Sequence, residues 1–109
     1  MAADRLAGGA DLLLIETCMD LLQIKAAMIA CRRAMQAEGR EVPIQVQVTM
    51  ETTGRMLVGT EIGAALVALE AMRPDVIGIN CATGPVEMGE HLRHLSAHAR
   101  MPISCIPNA

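Results

Sequence analysis

The chain has no phenylalanine, tyrosine or tryptophan among its 109 residues. A protein that stacks nucleic-acid bases needs such rings. One that grips phosphates needs a basic excess, yet nine Lys and Arg stand against twelve Asp and Glu, for a net charge of −3. Nucleic acid is therefore excluded as the expected partner. Lysine is nearly missing too: Lys25 is the only one, and it falls mid-helix in the pattern below. Schiff-base chemistry needs a lysine amine in the site, so that reaction class is out for this segment. No apolar run approaches the ~20 residues of a bilayer crossing, and no charged-then-apolar leader opens the sequence. A cytoplasmic chain without membrane contact is expected. In that compartment Cys18, Cys31, Cys81 and Cys105 are expected as thiols or metal ligands, not disulfides. No Cys-x-x-Cys occurs, so spacing alone makes no zinc finger.

What is present is a folded composition: 52% hydrophobic residues, nine of the residues being Met. With no rings, a core must be built from aliphatic side chains and adaptable methionines. The length allows one domain at most.

The pattern alternates strand and helix. Ala2–Leu6 reads as a helix tail closed by Gly8 and Gly9. The run from Asp11 to Thr17 is nearly continuous and apolar, the signature of a strand buried on both faces. Asp20 can cap a helix running to about Glu38, with Gly39 as its stop and Leu21, Ile24, Met28, Cys31 and Met35 facing inward. Pro43 opens a strand from Ile44 to Met50 that alternates with Gln45, Gln47 and Thr49. Thr60 is expected to cap a third helix, with Ile62, Ala65, Leu66, Leu69 and Met72 inward and Arg73-Pro74 at its end. A strand over Asp75–Cys81 follows. Gly84-Pro85 starts a fourth helix, with Met88, Leu92, Leu95 and Ala99 inward. Pro102 opens a last strand, Ile103–Ile106.

Strands separated by helices run parallel, so this is an α/β chain. An open doubly wound sheet competes with an arc of a (β/α)8 barrel. The polar row Gln45, Gln47, Thr49 favours the barrel, whose lumen holds a few polar residues. Four strands in this length are half of such a barrel, and the sequence stops directly after a strand. Residues 1–109 are thus expected to be a partial barrel domain.

Parallel α/β folds place ligands at the C-terminal strand ends. Here those ends are Glu16-Thr17-Cys18, Thr49-Met50-Glu51, Asn80-Cys81-Ala82 and Pro107-Asn108. Glu16, Thr49, Cys81 and Asn108 are expected on one rim. Before a helix start, Cys81 can be a metal ligand, a nucleophile or a buried structural thiol. Cys18, Cys31 and Cys105 are expected to pack. His91, His94 and His98 share one face of the fourth helix, opposite its apolar stripe, and are expected to be exposed. The segment Thr52–Gly59 lacks the Gly-Lys-Ser/Thr of a phosphate loop.

Gly9–Thr17, Thr53–Gly59, Ile77–Pro85 and Pro107–Ala109 together resemble the homocysteine S-methyltransferase family, closest to its cobalamin-dependent, methionine-forming branch. The resemblance runs through the whole chain, and Gly-Ile-Asn-Cys-Ala-x-Gly-Pro is its most specific piece. It implies a (β/α)8 barrel, of which this chain would be about strand four to strand seven. It implies homocysteine as substrate and a zinc ion held by three cysteines, which presents homocysteine as a thiolate to a methyl donor. Cys81 matches the first zinc cysteine. Asn108 matches a residue that can occupy the open zinc position, and Glu16 the carboxylate that receives the substrate's amino group. The family's other two zinc cysteines form an adjacent pair that is absent here. One Cys and one Asn hold zinc weakly, so the chain alone is expected to be inactive. Cobalamin and methyltetrahydrofolate would act through other modules of a parent protein, and the remaining barrel strands would be partners. Two readings compete: another barrel enzyme using Cys81 or Glu16, and a truncated, non-catalytic chain.

Overall fold

The computed structural model describes residues 1–18, 20–50, 61–81 and 85–107; the side chains of Thr17, Cys81, Pro85 and Glu87 lie outside that description. Its elements are α1 (Ala2–Ala7), β1 (Leu13–Cys18), α2 (Leu21–Glu38), β2 (Ile44–Met50), α3 (Ile62–Met72), β3 (Val76–Cys81), α4 (Pro85–His98) and β4 (Ile103–Ile106). The local signals act as expected where they are described. The Asp20 side chain accepts the backbone N–H of Leu22 at 2.9 Å, satisfying one orphan donor of α2. Gly39 ends that helix at φ 64°, a left-handed conformation that glycine adopts freely. The expected cap at Thr60 lies outside the described residues; Glu61 is the N-cap of α3.

The four strands form one parallel sheet in the order β1-β2-β3-β4. Right-handed crossovers taken always in the same direction place every helix on one face. A doubly wound sheet reverses its strand order and covers both faces. The unreversed order is that of a (β/α)8 barrel arc, which settles the competition between the two architectures.

The two faces differ accordingly. Ile44, Val46, Val48 and Met50 of β2, with Ile77 and Ile79 of β3, meet Ile24 and Met28 of α2, Leu66 and Leu69 of α3, and Met88 and Leu95 of α4 in one core. The opposite face carries Leu14 and Glu16, then Gln45, Gln47 and Thr49, then Gly78 and Asn80, then Ser104. Here one expectation needs correction. β1 is buried on one face only, and Leu14 is 44% exposed. It is an edge strand, and apolar composition does not distinguish an edge from an interior position.

The N-terminal ends of the strands are fastened by side chains that bond backbone groups. Arg40 donates to the carbonyls of Leu6 and Ala10 at 3.1 and 2.6 Å. Arg32 donates to the carbonyls of Met72 and Arg73 at the end of α3. Asp75 accepts the N–H of Ile44 at 2.8 Å. A cleft of about 550 Å³ lies at this end, lined by Arg40, Val42 and Asp75 among others. In a barrel this is the stabilising end, opposite the chemistry.

Candidate functional site

The C-terminal halves of the strands carry Glu16, Thr49 and Cys81 toward one end of the sheet, Glu16 at the level of Gln47 and Cys81 at that of Met50, three residues further on. Thr49 is in register with Asn80, Met50 with Cys81, and Val48 with Cys18. Asn108, the fourth expected member, lies outside the described residues, as do Glu51 and the segment 52–59.

Glu16 owes its position to a β-bulge. Ile15 pairs with Val46 and Cys18 with Val48, so Glu16 and Thr17 together oppose Gln47. Leu13, Ile15 and Cys18 all belong to the helix-covered side. Strict alternation from Leu13 and Ile15 would put residue 17 there instead. One extra residue restores the phase, and such a bulge re-aims side chains beside active sites. Glu16 is left exposed, and at the free edge of β1 it lines a cleft of about 910 Å³ whose other walls include Arg5 of α1 and Ala27, Ala30 and Cys31 of α2.

Cys18 is buried at 3% exposure, and its thiol donates to the Glu16 carbonyl at 3.6 Å. Burial first, and then the Glu16 charge, push its pKa from 9.0 up to about 11. Burial also raises Cys31. A thiol nucleophile or ligand acts as its thiolate, and neither cysteine supplies one at neutral pH. Both pack, as expected. Cys105 does not: it is exposed, because β4 is the other edge of the sheet and its burial is slight throughout.

The polar row of β2 makes two lateral bonds. Gln45 Nε2 donates to Ser104 Oγ at 3.2 Å, reaching past β3. Thr49 Oγ1 donates to Asn80 Oδ1 at 3.2 Å. Between them Gln47 is fully buried at 0% exposure. Neither its Nε2 nor its Oε1 has a hydrogen-bond partner among the described residues. Its amide lies over Gly78, where any Cβ would collide with Gln47 Oε1 and come within 2.6 Å of the Ser104 carbonyl oxygen. A mid-strand glycine often marks such a close approach. The sequence shows the polar row and the glycine, but not that one amide of the row is left unpaired.

The histidine expectation needs correction. His98 is exposed, but His91 and His94 are half-buried. The His94 ring lies against Gly63 of α3 and 4.5 Å from the His98 ring, because α4 packs beside α3 and shelters that flank. No group of three His, Cys, Asp or Glu able to hold a metal ion occurs among the described residues. Lys25 is exposed on α2. Among the described residues no helix is long and apolar enough to cross a membrane.

Comparison with known proteins places these features in context. Residues 2–109 match the homocysteine S-methyltransferase family. Over 108 residues the chain is 63% identical to the methionine synthase of Mycobacterium leprae (strain TN) and 62% identical to that of Mycobacterium tuberculosis (strain ATCC 25618 / H37Rv). Each match covers 99% of this chain but only 9% of the relative's length.

Proposed function

The chain belongs to the homocysteine S-methyltransferase family, and from that premise we propose that it is a segment of the barrel that transfers a methyl group to the thiol of homocysteine, forming methionine. The family match along residues 2–109 carries this reading; the placing of Glu16, Thr49 and Cys81 toward the C-terminal end of one sheet supports it. Glu16, left exposed at the free edge of β1, is proposed to receive the substrate's ammonium group. The free strand edges suit a chain completed by further barrel strands.

Zinc would supply one thing when bound: it stabilises the thiolate form of a coordinated thiol near neutral pH. Cys81 and Asn108 are proposed as its contacts in this chain. A zinc site takes three or four protein ligands, and a lone Cys–Asn pair falls short. The donor set here does not by itself make a complete centre. The remaining ligands, together with any cobalamin or methylfolate module, are proposed to come from chain outside these residues.

The test is complementation. This chain is co-expressed with a methionine synthase from which the matching segment has been deleted, and labelled methyl transfer to homocysteine is measured. Activity restored by the chain, and lost with Cys81→Ser, is expected. A complex that assembles yet transfers no methyl group, or is indifferent to Cys81→Ser, overturns the reading.

A further inference from the structure

Among the described residues Gln47 is the one whose buried side-chain polar atoms have no partner. It is wholly buried and unpaired at both ends among the described residues, whereas its neighbours Gln45 and Thr49 are both bonded. A buried amide without partners is costly, and an apolar residue of the same shape would avoid that cost. The space it occupies is also specific. It lies over Gly78, where even one methyl group would not fit. Its register opposes the Glu16–Thr17 bulge, so it stands at the level of the exposed Glu16 carboxylate. That level is three residues below the Met50–Cys81 pair, about 10 Å along the strand.

A primary amide offers N–H donors and a carbonyl acceptor, so the missing partner must present both an acceptor and a donor. A carboxylate beside an ammonium, the α end of a free amino acid, does so. A simple alkyl thiol does not. We propose that Gln47 is a specificity-determining residue of this site: Nε2–H donates to the substrate's α-carboxylate, and Oε1 accepts from the ammonium that Glu16 also attracts. The amino-acid end then lies below the level of Cys81, with the reacting thiol above it. This inference rests on the reading of homocysteine as substrate and extends it to the residue that selects the amino-acid end.

The test uses the whole 109-residue chain with its glutamine side-chain amides labelled with ¹⁵N. L-homocysteine, L-homoserine (which lacks the thiol) and propanethiol (which lacks the amino-acid end) are titrated separately. Both amino acids should shift the Gln47 amide signals, and propanethiol should not. Gln47→Met should weaken homocysteine binding by about tenfold or more, the value of a hydrogen bond to a charged group. It should also raise the denaturation midpoint, since it removes an unpaired amide. Gln45→Met, which breaks the bond to Ser104, should lower the midpoint instead.

If other signals respond to homocysteine while the Gln47 amide stays still, this proposal fails and the homocysteine reading survives. If the amide responds to homoserine and other amino acids but homocysteine binds no better, Gln47 keeps its role and the homocysteine reading fails. An equal response to propanethiol, or no response to any probe, overturns the proposal. So does a lowered midpoint in Gln47→Met, which would reveal an internal partner. The wild-type titrations decide the matter even if the variant does not fold.

Discussion

The two faces of the sheet are made by the same strands and solve opposite problems. On the covered face Val46, Val48, Ile77 and Ile79 are fully buried against three helices, and among the described residues no buried side-chain polar atom on that face is left without a partner. On the open face the same strands present Gln45, Gln47, Thr49 and Asn80, joined sideways by only two side-chain bonds among those described and leaving one amide unmatched. The first arrangement maximises buried apolar area, the main favourable term in folding. The second holds polar groups where stability alone would not put them. Function is legible in that difference, because an unsatisfied polar group persists in a native fold only where something else selects it.

The comparison breaks first on the covered face. Ile79→Ala should cost about 2–5 kcal/mol, the range for deleting a well-packed aliphatic side chain, read from urea denaturation. A loss below about 1 kcal/mol would mean that this face is not what holds the fold. On the open face, Gly78→Ala should cost about 1–3 kcal/mol through overpacking. Adding Gln47→Ala should return part of that loss, with a coupling above about 0.5 kcal/mol in a double-mutant cycle. Recovery should stay partial, because the Ser104 carbonyl also crowds the new methyl. Simple additivity would show that Gln47 does not lie over Gly78. The smallest effect is in pH. The folded state holds Cys18 protonated up to about 11, against an ordinary 9.0. Its contribution is therefore complete below pH 9 and declines as pH rises toward 11. Cys18→Ala should flatten the denaturation midpoint across that window. A thiol reagent at pH 8 should also label exposed Cys105 well before Cys18.

Much of the architecture can be read from local rules. The alternation of Ile44, Val46 and Val48 behind Pro43 marks β2 at both ends, and Asp20 with Gly39 brackets α2. Those signals depend only on near neighbours in sequence. What resists reading is lateral. The run Leu12–Ile15 looks doubly buried because composition carries no record of which strand lies at an edge. The bulge at Glu16–Thr17 depends on the partner strand's register, and the half-burial of His91 and His94 on how α4 leans against α3. The polar row of β2 is visible in the sequence as a hint of a lumen. That Gln45 finds Ser104 while Gln47 finds no partner among the described residues depends on β4, more than fifty residues away.

The fastening at the other end of the strands has a consequence for redesign. Arg40, Arg32 and Asp75 secure the base by gripping backbone carbonyls and an N–H, so the frame below is indifferent to which side chains stand at the top. Residues 16, 47, 49 and 80 can therefore be exchanged as a set to seat a different small molecule, with the lower frame left untouched as a reusable chassis. A library varied only at those four positions should retain the fold far more often than one varied at residues 32, 40 and 75.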